Sequence, residues 1–160
     1  MNARKIGSAG FQPAPALAGQ VCNLLLVLFL TGCSTFHHDW KAATSAPIPT
    51  NTIDGPWVGE WHSDKNGHHG SLRCVVTQTS PTTFRAHYRA RFLKIFRYTY
   101  LATLNGQQTN NTFTLEGTAN LGKLAGGIYT YKATATATNF TSTYSCKYDH
   151  GSYQMARPAK

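Results

Sequence analysis

A period-two alternation of apolar and polar residues, beginning near Asp54 and running almost to the end of the chain, limits the folds open to this protein more than any other feature. Eight segments carry it: Trp57–His62, Ser71–Thr77, Thr83–Phe92, Ile95–Leu104, Thr112–Leu121, Ile128–Thr138, Phe140–Tyr148 and Ser152–Arg157. Between them stand turn signals: Lys65-Asn66-Gly67, Ser80-Pro81, Asn105-Gly106, Gly122 to Gly127, Asn139 and Asp149-His150-Gly151. Period two sends alternate side chains to opposite faces of a strand. In the third segment Phe84, Ala86, Tyr88, Ala90 and Phe92 share one face, and Arg85, His87, Arg89 and Arg91 the other. The apolar phase returns as Phe96, Tyr98, Tyr100, Ala102 and Leu104, then as Phe113, Leu115, Gly117, Ala119 and Leu121. It continues with Tyr129, Tyr131, Ala133, Ala135 and Ala137, and with Phe140, Ser142, Tyr144, Cys146 and Tyr148.

Connections this short allow only antiparallel neighbours, so the topology is a meander. One apolar face per strand is buried without a covering helix when the sheet closes on itself, and closure also removes exposed edges. The expected fold is all-β, an eight-stranded antiparallel up-and-down barrel, round or flattened, with no core helix. A two-sheet sandwich is the alternative. Asn105-Gly106 is the strongest hairpin signal, because both residue types tolerate positive φ, and it is expected to end the fourth strand.

The inward face mixes tyrosines with small residues. Small side chains leave room, and buried phenols need hydrogen-bond partners. Tyr88, Tyr98, Tyr100, Tyr129, Tyr131 and Tyr144 are therefore the candidate lining of a pocket for a small amphiphile; interdigitation into a solid core is the other outcome. On the outward face Arg73, Arg85, Arg89, Arg91 and Arg97 form the densest charged cluster. Arginine suits bidentate recognition of phosphate or carboxylate, so the cluster is a candidate patch for anionic lipid, glycan or protein. His62, Asp64, His68 and His69 gather around one hairpin, but adjacent strand residues face opposite ways, and they read as a polar tip rather than a metal site. There is no Gly-rich phosphate loop and no nucleophile elbow. No catalytic residue and no cofactor is expected.

Ahead of the alternating region, Arg4 and Lys5 precede an apolar run from Val21 to Leu30, interrupted by Asn23. A bilayer-spanning helix needs about 20 apolar residues, whereas a run this short suits a cleavable export signal. Leu30-Thr31-Gly32-Cys33 resembles the lipobox of bacterial lipoproteins at all four places. The resemblance implies a signal peptide over residues 1–32, diacylglycerol on Cys33, and a protein anchored in the cell envelope. With Ser34 rather than Asp after the cysteine, it implies the outer membrane facing the periplasm. Residues 33–53 would be the lipidated cysteine and a flexible tether, and residues 54–158 the barrel.

Without Arg4 and Lys5 the remaining chain has 13 basic and 6 acidic residues, a net +7. Such a surface attracts anionic lipid or acidic glycan; nucleic acid is not an expected partner of a tethered envelope protein. With Cys22 in the signal and Cys33 lipidated, Cys74 and Cys146 remain. An oxidising compartment favours a disulfide between them. A round ring opposes it, since strands two and seven would stand roughly 12–15 Å apart.

Gly55-Pro56-Trp57-Val58-Gly59-Glu60-Trp61 resembles the Gly-x-Trp entry strand of lipocalin-like barrels. The resemblance implies a barrel floor built from Trp57, Trp61 and an arginine of the last strand, here Arg157. The chain also resembles small exported bacterial proteins with a Trp-rich start and a terminal Tyr-Asp-His-Gly hairpin. Two functions stay open at this point. One is a membrane-anchored, non-enzymatic barrel holding a small amphiphile; the other is an interaction module working through its outer arginines.

Overall fold

The structure, a computed structural model, describes residues 35–93 and 95–159. The signal peptide and the lipobox, including Cys33, lie outside the described residues. Eight strands follow in order: β1 (Gly55–Ser63), β2 (His69–Ser80), β3 (Thr83–Phe92), β4 (Phe96–Thr109), β5 (Thr112–Asn120), β6 (Ile128–Ala135), β7 (Asn139–Ser145) and β8 (His150–Ala156). Each pairs antiparallel with its sequence neighbours, and β8 pairs with β1, so the sheet is a closed up-and-down barrel. No sandwich forms, because closure leaves no free edge.

Strand direction gives the barrel two distinct ends. The β2–β3, β4–β5 and β6–β7 turns lie at one end, here called the floor. The β1–β2, β3–β4, β5–β6 and β7–β8 connections lie at the other, the mouth. The floor half is solid: Trp57, Val76, Phe84, Leu104, Leu115 and Phe140 are all buried there. Trp57 meets Phe140 edge-on at 5.6 Å and Phe84 meets Phe113 at 5.7 Å, the offset geometry aromatic rings prefer. Arg157 closes the floor. Its guanidinium lies 3.9 Å from the Trp57 ring centroid, a contact worth roughly 0.5–2 kcal/mol. It also donates to the carbonyls of Asp54 at 2.7 Å, Thr52 at 2.9 Å and Ala137 at 2.9 Å.

Several expectations change. Trp61 is not part of the floor: four residues along β1 from Trp57, it stands at the mouth, stacks on Phe92 and donates its indole N–H to the Arg91 carbonyl at 3.0 Å. Asn105-Gly106 does not turn. β4 continues through it to Thr109, and the chain reverses at Asn110-Asn111, with Asn110 at φ 55°. Gly106 stays in register opposite Leu115, where the neighbouring strand comes so close that a Cβ would overlap the Thr114 carbonyl oxygen; the glycine serves a close approach rather than a turn.

Residues 35–45 are helical (α1), where the sequence suggested a flexible tether. The helix lies outside the barrel, against the outer face of β3. Phe36 is buried and meets His87 edge-on at 5.1 Å, and Asp39 Oδ2 is 2.9 Å from His87 Nδ1. The helical pattern was hidden by its length: one turn's worth of anchors, Phe36, Asp39 and Trp40, gives little periodic signal. Ile53, just ahead of the expected domain start, is wholly buried and accepts the Trp57 indole N–H at 2.9 Å. The folded unit therefore starts upstream of residue 54.

The thiols of Cys74 and Cys146 are both free. The register explains why the disulfide does not form here. Arg73, beside Cys74, leads through Val58 and Ala156 to Asn139, seven residues from Cys146. Three strand steps around the ring and the length of β7 keep the sulfurs apart, far beyond the Cα separation of about 7 Å that a disulfide tolerates.

Candidate functional site

Above the solid floor the barrel is hollow. A cavity of ≈ 790 Å³ opens at the mouth, lined chiefly by aromatic side chains. Its lower wall is Leu72, Ala90, Tyr100, Tyr131 and Tyr153; its upper wall is Trp61, Tyr98, Leu121, Tyr129 and Tyr144. The rim consists of Asn66, His68, Phe92, Phe96, Arg97, Leu124, Tyr148 and Asp149, together with a 3₁₀ turn over Lys123–Ala125. Ala90, beside Leu72 and Tyr98, leaves room in the cavity wall, whereas the space at Gly117 in the layer below is taken by Leu104, whose Cδ2 would stand 2.8 Å from a Cβ there.

The tyrosines satisfy one another. Tyr88 stacks on Tyr100 at 5.0 Å and on Tyr131 at 6.3 Å, and Tyr129 reaches Tyr131 and Tyr144 at 6.4 and 5.9 Å. Tyr88 and Tyr153 share a hydroxyl–hydroxyl hydrogen bond of 2.6 Å. Tyr98 donates to the Leu121 carbonyl at 2.7 Å and Tyr144 to the His62 carbonyl at 3.2 Å. Burial holds the acidities of Tyr88, Tyr100, Tyr129, Tyr131, Tyr144 and Tyr153 well below that of a free phenol, with pKa values raised. The walls are thus neutral hydroxyls and π faces.

Five of the six tyrosines suggested by alternation line the cavity. Tyr88 does not: it is wholly buried in the layer beneath, and its hydroxyl is committed to Tyr153. Tyr153 itself was missed, although Gly151, Tyr153 and Met155 share the inward phase of β8 and a count of that phase finds them. The rim residues were not legible in this way, because loops carry no period.

Charge at the mouth is unevenly used. Asp149 accepts hydrogen bonds from Ser63 Oγ at 2.5 Å and from Tyr144 at 3.3 Å, which ties the β7–β8 connection to the end of β1. Arg97 and Lys123, also on the rim, form no ion pair among the described residues. His62 Nδ1 lies 3.2 Å from Asp64 Oδ1, while His68 packs edge-on against Phe92 at 5.1 Å. No group of three or more His, Cys, Asp or Glu able to hold a metal occurs among the described residues.

The outer arginines fall into two sets. Arg85 lies on the floor side of His87, where its charge adds to the His87 hydrogen bond in holding the Asp39 carboxyl below the ordinary range. Arg73, Arg89, Arg91 and Arg97 surround a separate cleft of ≈ 480 Å³ on the mouth side.

No protein family matches the chain, and no curated protein matches it. Among solved structures, a de novo designed fluorescence-activating β-barrel matches 71% of this chain and 100% of its own length. The identity is 9% and the TM-score 0.49.

Proposed function

We propose that the protein is a membrane-anchored, non-enzymatic envelope lipoprotein that holds a small amphiphile in the mouth half of its barrel. The observation that carries this reading is the cavity: ≈ 790 Å³, open at one end and walled by tyrosines whose hydroxyls are already partnered. That volume lies in the range of small-molecule sites, which are apolar with a few placed polar groups. An aromatic or acyl body fits between the Tyr and Trp faces. With Asp149 engaged, Arg97 and Lys123 favour a negative or strongly polar head at the rim. Anchoring rests on the lipobox resemblance of Leu30-Thr31-Gly32-Cys33.

Native mass spectrometry of the full-length chain, released from its own envelope in mild detergent, tests the reading. The expected result is a second, non-covalent mass that leaves on activation. A bare chain that also fails to take up 1-anilinonaphthalene-8-sulfonate, an anionic aromatic probe, would refute it.

A further inference from the structure

We propose that the β3–β4 side of the mouth is a docking surface for anionic phospholipid. In it Arg73, Arg89, Arg91 and Arg97 receive lipid phosphates while the hairpin tip enters the headgroup layer. This goes beyond the ligand reading, and each can fail without the other. The register sets Arg73 directly opposite Arg89, and Arg91 directly opposite Arg97. Like charges facing across a strand pair repel, and no carboxylate among the described residues comes within 4.0 Å of any of the four. The helix adds aromatic faces rather than acids: Trp40 lies 5.2 Å from the Arg73 guanidinium and Phe36 5.6 Å from that of Arg89. Asp39 is engaged by His87. Arg89 Nε is buried and has no hydrogen-bond partner. With Ser71, the four arginines line the ≈ 480 Å³ cleft, a site whose repulsion a bound oxyanion relieves.

The neighbouring hairpin points to lipid as the source of that oxyanion. Leu93, Ile95 and Phe96 are 58%, 74% and 60% exposed, immediately beyond the Arg91–Arg97 pair. An apolar tip with basic shoulders suits the membrane interface, where apolar burial and attraction to anionic headgroups add. Chain length agrees. Phe36 lies against Arg89, and three residues of chain can carry Cys33 no more than roughly 11 Å from Phe36. Acyl chains on Cys33 would thus enter the bilayer beside this surface.

Hydrogen exchange of the mature full-length chain tests this, with the protein in phosphatidylglycerol–phosphatidylethanolamine vesicles and in phosphatidylcholine vesicles at equal ionic strength. An anchor on Cys33 is common to both, so only lipid charge differs. The expected result is exchange at residues 92–96 slowed by about tenfold on the anionic vesicles and restored by high salt. The Asn110-Asn111 turn at the floor stays unchanged. Arg91→Gln with Arg97→Gln abolishes the difference between the two vesicles, whereas Lys132→Gln, an exposed cation on β6, preserves it. Equal exchange at 92–96 on both vesicles overturns the proposal. So does the same slowing produced by inorganic phosphate without vesicles, which would make the cleft a site for a soluble anion.

Discussion

The hydrogen bond between Tyr88 and Tyr153 joins the solid floor to the hollow mouth, and removing either end of it has a calculable effect. Both residues are inside the barrel, at 0% and 3% exposure, and their oxygens are 2.6 Å apart. Tyr88→Phe leaves Tyr153 with Ser142, while Tyr153→Phe leaves Tyr88 with only the weakly accepting Cys74 thiol. A buried hydroxyl stripped of its partner costs about 1–3 kcal/mol. Tyr88→Phe therefore falls near the lower end and Tyr153→Phe near the upper. For a folded unit of this size 1 kcal/mol corresponds to roughly 3–5 °C in Tm. The double variant removes both orphans together and should cost about 1 kcal/mol less than the sum of the singles. Urea unfolding of the four proteins measures this, with unchanged m values showing that the denatured states are comparable. Both phenols stay neutral because burial raises their pKa values, so the cycle should read the same at neutral and mildly alkaline pH. Strict additivity of the two singles would refute the reasoning, for the hydroxyls would then not be coupled.

Ala90→Phe pushes a ring into the lower wall of the cavity and is expected to reduce uptake of the anilinonaphthalene probe by about tenfold or more, with far-ultraviolet circular dichroism unchanged. Gly70→Ala should destabilise the protein by about 2 kcal/mol or more, since its Cβ would overlap the Arg91 carbonyl oxygen and stand 2.9 Å from the Trp61 indole nitrogen; the urea midpoint reports it. The Asp39 carboxyl is held below its ordinary 3.8 chiefly by its hydrogen bond to His87, against desolvation. A depressed carboxylate pKa means the contribution is complete above 3.8 and disappears as pH falls through the lower folded value. The Trp40 signal of a fluorotryptophan-labelled chain should show α1 leaving the barrel over that acid range, and Asp39→Asn should remove the step. Peptide mapping after thiol alkylation should find Cys74 unmodified until the protein unfolds, because its burial and raised pKa suppress the thiolate; recovery of a Cys74–Cys146 cross-linked peptide would contradict the separation described above.

Local pattern was enough to dictate the strand order, the antiparallel meander and most of the inward set, although Phe96 and Tyr148, in the inward phase, stand 60% and 58% exposed at the rim where the strands end. Each follows from a rule acting between adjacent residues: alternate side chains face alternate sides, and short connections allow only neighbouring strands to pair. Tyr100, Tyr131 and Tyr144 could be placed inside on that basis, and Arg89 and Arg91 outside. Closure followed because no second layer was available to cover the apolar face. The assembled barrel settled what depends on sums over distant strands. Whether the interior is full rests on which large side chain meets which gap across the ring, and Gly117 and Ala90 gain their meaning from Leu104 and Leu72 opposite them. Gly106 serves a close approach rather than a turn, because the paired strand sets the Thr114 carbonyl oxygen where a Cβ would be. Trp57 and Trp61 share a face but not an end, and strand length along the barrel axis separates the floor from the mouth. The docking of α1 needs β2 and β3 side by side, and the separation of Cys74 from Cys146 needs three strand steps around the ring; no local pattern encodes either.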